Sequence, residues 1–185
     1  MIMSLQTYYK ETVAPKLAED LGLKNALAVP KISKITLNVG LGQGIKEAKY
    51  LETAEATLRR ITGQQPVKCK ARISISNFKI RKGMVVGMKV TLRGKRMWDF
   101  LDRLVNVTLP RVRDFRGISP DALDERGNYS LGFREHVSFP EISPDEIEVI
   151  HGLQVVITTT AKNKEQGRAL LTALGFPFKI TNDKK

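Results

Sequence analysis

Apolar residues at Leu5, Tyr8, Tyr9, Val13, Leu17 and Leu21 recur close to a 3.6-residue period and predict a first helix over 5–21. Ser4 is placed to cap it, Pro15 should kink or interrupt it, and Gly22 should end it. The period then drops to two. Ile35, Leu37 and Val39 alternate with Lys34, Thr36 and Asn38, which predicts a strand over roughly 32–39 with a polar outward face. Leu51, Ala54, Leu58 and Ile61 return to helical spacing up to Gly63. Two further alternating runs follow. Val67, Cys69, Ala71, Ile73 and Ile75 share one parity, opposite Lys68, Lys70, Arg72, Ser74 and Ser76. Val86, Met88, Val90 and Leu92 read inward, with Gly87, Lys89, Thr91 and Arg93 outward. These runs predict an antiparallel pair with one apolar and one basic face.

Met97, Phe100, Leu101, Leu104 and Val105 mark another amphipathic helix, with Asp99, Asp102 and Arg103 on its wet side and Pro110 beyond its end. Arg111, Arg113 and Arg116 follow, mixed with Asp114. From Gly117 to Ile150 the chain reads as a turn-rich acidic excursion, with Ser119-Pro120, Gly127-Asn128, Phe139-Pro140 and Ser143-Pro144. Its acids are Asp121, Asp124, Glu125, Glu141, Asp145, Glu146 and Glu148. Long loose excursions in compact domains are more often functional or disordered than inert. A last strand is predicted over 152–160 and a last helix over 164–174, closed by Gly175. With 185 residues and 42% hydrophobic content, one domain over 1–185 is expected, with excursions at about 76–83 and 112–150.

Charge sharpens this picture. Between Glu55 and Asp99 there are twelve Lys and Arg and no acid; outside that block the 31 basic and 19 acidic residues of the chain reduce to 19 of each. The net charge of +12 therefore resides in one segment, a local field aimed at something acidic, most commonly nucleic-acid phosphate. Between the two basic strands, Phe78 and Ile80 are interleaved with Lys79, Arg81 and Lys82. Such a loop either folds back on the core or packs its tip on a partner, and the cations favour nucleic acid.

Other chemistries find little support. Gly40-Leu41-Gly42-Gln43-Gly44 sits between a strand and a helix, but Ile45 stands where a dinucleotide fingerprint needs its third glycine, and the acidic residue wanted about 20 positions on falls where the chain enters its acid-free block. His136 and His151 sit apart without ligands at zinc spacing, and no Gly-x-Ser-x-Gly motif appears. No metal, cofactor or enzyme activity is expected. A single cysteine, Cys69, excludes a disulfide framework and reads as packing. No apolar run approaches the roughly 20 residues a bilayer requires, so a soluble cytoplasmic protein with no membrane partner is expected. Peripheral membrane binding would want charges on a surface helix, whereas these alternate along strands.

The ordered series Gly63-Gln64-Gln65-Pro66, Lys70-Ala71-Arg72, Phe78-Lys79-Ile80-Arg81-Lys82-Gly83, Lys89-Val90-Thr91-Leu92-Arg93-Gly94 and Arg96-Met97-Trp98 resembles the bacterial large-subunit ribosomal protein five family. Pro110-Arg111-Val112-Arg113-Asp114-Phe115-Arg116-Gly117, Gly127-Asn128-Tyr129-Ser130, Phe139-Pro140-Glu141-Ile142, Thr158-Thr159-Thr160-Ala161 and Gly175-Phe176-Pro177-Phe178 agree with it. The resemblance spans nearly the whole chain. Departures stand at Val85, where the family usually has proline, at Glu125, where glycine is common, at Ile73, where a polar or basic residue is frequent, and at His136, where glutamine is usual.

The resemblance implies an α+β fold, an antiparallel β-sheet with helices packed on one face and an exposed basic face, plus protruding loops. It implies a structural protein that binds 5S rRNA and seats it in the central protuberance of the large subunit, beside 23S rRNA and neighbouring central-protuberance proteins. On the sheet face, Asn38, Gln64, Lys68, Lys70, Arg72, Thr91 and Arg93 are then the expected rRNA-binding residues. The loop residues Asn77, Phe78, Lys79, Ile80, Arg81 and Lys82 would approach P-site tRNA. Arg111, Arg113, Arg116, Asn128 and Tyr129 would reach small-subunit head protein thirteen. The competing reading is a free-standing RNA chaperone or regulator using the same sheet face.

Overall fold

The computed structural model describes residues 4–42, 48–143 and 149–179. The end of the glycine loop, Gln43-Gly44, and the excursion residues Pro144, Asp145, Glu146 and Glu148 lie outside the described residues. Five strands, β1 (Ile32–Gly40), β2 (Val67–Lys70), β3 (Val85–Leu92), β4 (Tyr129–Phe133) and β5 (Leu153–Thr159), form one antiparallel sheet in the order β2-β3-β1-β5-β4. The helices are α1 (Leu5–Tyr8), α2 (Ala14–Asp20), α3 (Ala48–Thr62), α4 (Gly94–Arg103), α5 (Leu109–Arg111) and α6 (Lys164–Ala173). This is the expected α+β fold. The chain forms two compact units, one of residues 1–35, 93–131 and 156–185, the other of 36–92 and 132–155.

In the first unit the N-terminal helix starts as its sequence dictates: the Ser4 hydroxyl accepts the Thr7 N–H at 3.2 Å. Gly22 ends it in a left-handed conformation, φ +62°, while the Leu23 N–H returns to Ala18 O at 2.8 Å. Between α1 and α2 lies a π-helical turn, Tyr9–Val13, followed at once by Ala14-Pro15. The same device recurs after α4. A π-turn, Leu104–Thr108, precedes Leu109-Pro110, so Pro110 lies inside a continued helix and not beyond its end as the sequence suggested. Proline lacks the N–H and crowds the carbonyl four residues back; widening the preceding turn to an i→i−5 bond, Ala14 to Tyr9 and Leu109 to Leu104, relieves both. Tyr9 tilts against Trp98, ring centroids 5.3 Å apart, and its hydroxyl donates to Pro30 O.

The described residues of the excursion, 117–143 and 149–150, carry more regular structure than its turn signals suggested. Tyr129–Phe133 is an edge strand of the sheet, with Tyr129, Leu131 and Phe133 buried and Ser130 and Gly132 exposed. The turn before it is fixed on itself: Asp124 Oδ1 accepts the Arg126 and Asn128 N–H groups, and Asp124 Oδ2 accepts the Asn128 side-chain amide. Asn128 Oδ1 in turn accepts the Thr159 N–H at 3.0 Å. At this turn the backbones of Gly127 and Gly167 touch, so that a Cβ on either would overlap the other.

In the second unit α3 packs on β3. Ala54, Leu58 and Ile61 of the helix are buried against the parity of Met88, Val90 and Leu92. Leu37 and Val39 of β1 are buried likewise, which leaves Thr36 and Asn38 on the opposite side of that strand. Gly63 closes α3 with φ +63° and a bond from its N–H to Arg59 O at 2.8 Å.

Candidate nucleic-acid interface

The register of β2 against β3 decides which cations share a face. Val67 opposes Lys89, Lys68 opposes Met88 and Cys69 opposes Gly87; the register then shifts, and Lys70 opposes Val85. Directly opposed residues of an antiparallel pair point to the same side. Lys68 therefore points to the side of buried Met88, where α3 lies, and its Nζ meets Glu55 Oε2 of that helix at 2.7 Å. The partner then skips Val86, so the extra residue lies on β3, and β2 itself keeps its alternation through Lys70. Lys68 and Lys70 therefore share a face, as the alternation predicted, but it is the side on which α3 lies and not the open one.

The apolar parity over 67–76 is corrected as well. Val67 is 59% exposed and Ile73 67% exposed, and the strand ends at Lys70. As the outermost strand, β2 has no core beneath Val67, which opposes exposed Lys89 on the open face.

On the open face stand Asn38 and Thr91, both half-buried, and the exposed Lys89; Lys70 is exposed at the end of the outermost strand, and Arg93 follows β3 directly and is exposed. Gln64 is fixed at the end of α3 by its N–H to Thr62 Oγ1, and its side-chain amide donates to Thr91 O at 3.4 Å. Arg72 is exposed in the turn after β2. Lys89 completes the cationic rim and was legible from strand parity alone. Short amides and hydroxyls flanked by cations suit a ribose-phosphate surface, the cations meeting phosphate and the neutral groups fixing geometry.

Beyond Lys70 the chain continues as a protrusion held by its own bonds. Ala71 N–H donates to Met84 O and Gly83 N–H to Ala71 O. Lys82 N–H donates to Ser74 Oγ at 2.9 Å, and Ile75 and Ile80 exchange both backbone bonds. Lys79 takes a left-handed conformation, φ +55°, in the turn between them. Asn77, Lys79, Arg81 and Lys82 are exposed and Ile80 is half-buried. Phe78 is 70% exposed and does not fold back on the core. Val85, where the family usually has proline, opens β3 opposite Lys70.

Arg111, Arg113 and Arg116 are exposed in the turn region after α5. Tyr129 is not a surface group: it is 1% exposed, its hydroxyl donates to Ser119 O at 2.7 Å, and burial pushes its pKa up to about 12. Both ends of the Asn128 amide are likewise bonded within the fold. These two residues build the turn; their expected role as contact residues is not supported by their placement.

Residues 25–81 match the family model described as ribosomal protein L5, and residues 85–178 match that of the ribosomal L5P family C-terminus. The chain belongs to the ribosomal protein L5 family. A large ribosomal subunit protein uL5 of Desulfatibacillum aliphaticivorans is 57% identical, covering 95% of this chain and 98% of the relative. Those of Microcystis aeruginosa and Symbiobacterium thermophilum are 56% and 53% identical, covering 97% and 95% of this chain and 100% and 97% of theirs. As an L5 family member the chain is a structural, non-enzymatic protein of the large ribosomal subunit, part of the translation machinery on the cytoplasmic ribosome. No helix among the described residues is long and apolar enough to cross a membrane.

Proposed function

We propose that this L5 family protein grips 5S rRNA with the open face of β1, β2 and β3 and thereby anchors it in the central protuberance. The observation that carries this reading is the uncovered side of β1 and β3, where Asn38 and Thr91 stand with the exposed Lys89, while Lys68 is engaged by Glu55 on the other side. Binding of purified chain to 5S rRNA across a salt series tests it: loss of Lys89 or Asn38 weakens binding, and retention of full affinity in both variants refutes it.

The protrusion is a second surface. Its apolar tip, Phe78, stands among Lys79, Arg81 and Lys82, and covers sugar or base surface of P-site tRNA while the cations meet phosphate. Arg111, Arg113 and Arg116 supply the contact to small-subunit head protein thirteen, without Asn128 and Tyr129. 23S rRNA and neighbouring central-protuberance proteins are the remaining partners of this reading.

A further inference from the structure

Thr62 ends α3, is buried, and uses its hydroxyl on two sides. Oγ1 donates to Leu58 O at 2.6 Å and accepts the Gln64 N–H at 3.2 Å; Gln64 O, at 3.1 Å, is the longer alternative for the one hydroxyl proton. Between these anchors Gly63 is left-handed and exposed, with nothing within 4 Å of the place of its missing Cβ. One buried oxygen therefore ties the last turn of α3 to the main chain of Gln64, across a residue with no side chain to pack. From that anchor the half-buried Gln64 reaches Thr91 O, 3.4 Å from Nε2. A carbonyl oxygen can only accept, so the NH2 end of the amide faces β3 and Oε1 is turned away, with no partner among the described residues. That bond lies beyond the usual N–H···O range, so the aim of the side chain depends on where its own main chain is fixed. The neighbouring Gln65 turns back and donates to Glu55 Oε1 of α3, and it is Gln64 that reaches β3. Val67 opposite Lys89 is the first pair of β2, and Thr91 lies two residues past it, so Gln64 stands where the ladder offers no further partner.

We propose that Thr62 is a positioning residue of the RNA face: its buried hydroxyl fixes the Gln64 main chain and so keeps the Gln64 amide over the end of β3, with Oε1 open to a donor on RNA. This rests on the reading that the open face binds 5S rRNA. Thr62 itself does not meet RNA, because its hydroxyl is spent on Leu58 and Gln64 inside the fold. A methyl in place of that hydroxyl leaves the Gln64 N–H without its acceptor and frees the turn to rotate about Gly63, the residue type with the widest backbone freedom. The amide then samples several directions, and RNA has to select one. The loss falls on a neutral contact, so affinity drops while salt dependence, which phosphate contacts set, does not. A hydroxyl that merely closed the helix would instead change the melting temperature and leave the affinity of the folded chain alone.

A double-mutant cycle on the full chain with 5S rRNA tests this, read as affinity and salt slope well below the melting temperature of every variant. T62V, which exchanges the hydroxyl for a methyl, should weaken binding by about three- to tenfold with an unchanged slope, and T62S, which keeps the hydroxyl, should bind as the unaltered chain does. In the Q64A background T62V should cost nothing further. The same loss from T62V in both backgrounds, or full affinity in T62V, overturns the positioning role. Full affinity in Q64A while N38A and K89A bind weakly leaves the open face standing with nothing for Thr62 to position, which overturns it too. Full affinity in N38A and K89A as well brings down the RNA-face reading itself, and this inference with it. Should T62V fail to fold, T62A, which sets no methyl against Leu58 O, takes its place in the cycle with the same outcomes.

Discussion

Lys68 opposes Met88 in the register of β2 on β3, and so points to the side of α3, where its Nζ meets Glu55 Oε2 at 2.7 Å. The ion pair of Lys68 with Glu55 is half-exposed and contributes on the order of 1 kcal/mol or less. The register, rather than that bond, keeps Lys68 from the open face. Changing Lys89 to Ala should lower the salt slope of 5S rRNA binding by about one unit, while Lys68 to Ala leaves it nearly unchanged. Asn38 to Ala should weaken binding with little change in slope. Equal slope losses for both lysines would sink the facial assignment.

This division could not be read from the sequence. Strict alternation over 67–76 says which residues share a face but not which face is covered, and the strand ends at Lys70 while the alternation runs on. The exposed Val67, Ile73 and Ile75 look like core residues until it is known that no layer covers them. Ends of elements were legible where one residue does the work: Ser4 as a cap, and Gly22 and Gly63 as left-handed stops. The alternation Tyr129-Ser130-Leu131-Gly132-Phe133 was present but masked by turn pairs on both sides. Pro110 read as a terminator because nothing in the sequence announces a π-turn. His136 and His151 stand fifteen residues apart and stack only because the fold brings them together.

Deleting residues 77–82 should leave 5S rRNA affinity nearly intact, since the pairing of β2 with β3 ends before the tip and loop tips tolerate excision. Ribosomes carrying the deletion should retain P-site tRNA poorly. Filter binding on isolated RNA and tRNA dissociation from ribosomes check the two halves; a large loss of 5S affinity would merge the two surfaces into one.

Gly167 to Ala should destabilise the fold, because the added methyl meets the Gly127 backbone and neither main chain can withdraw without moving the turn or α6. Overpacking of this kind costs about 1–3 kcal/mol. A fall in Tm of roughly 2–4 °C for each kcal/mol is expected, read by thermal unfolding. An unchanged Tm would show that the turn adapts freely.

Tyr129 to Phe should cost about 1–2 kcal/mol by leaving Ser119 O without its donor, with no change in RNA affinity. The raised pKa adds a signature at high pH. The folded chain keeps the phenol proton while the unfolded chain loses it, so this share of stability is full below about 10 and lost as pH rises towards about 12. Alkaline unfolding followed by phenolate absorbance should show Tyr129 ionising only with unfolding; its ionisation in the folded chain near its ordinary value would contradict the buried assignment.

The most direct test of the central claim is an NMR map of side-chain and amide shifts in the labelled chain as 5S rRNA is added. Perturbations should gather on Asn38, Lys89, Thr91 and Arg93, with Lys68 and the exposed side of α3 unmoved. A map centred on α3 and Lys68, with the open face silent, would contradict it.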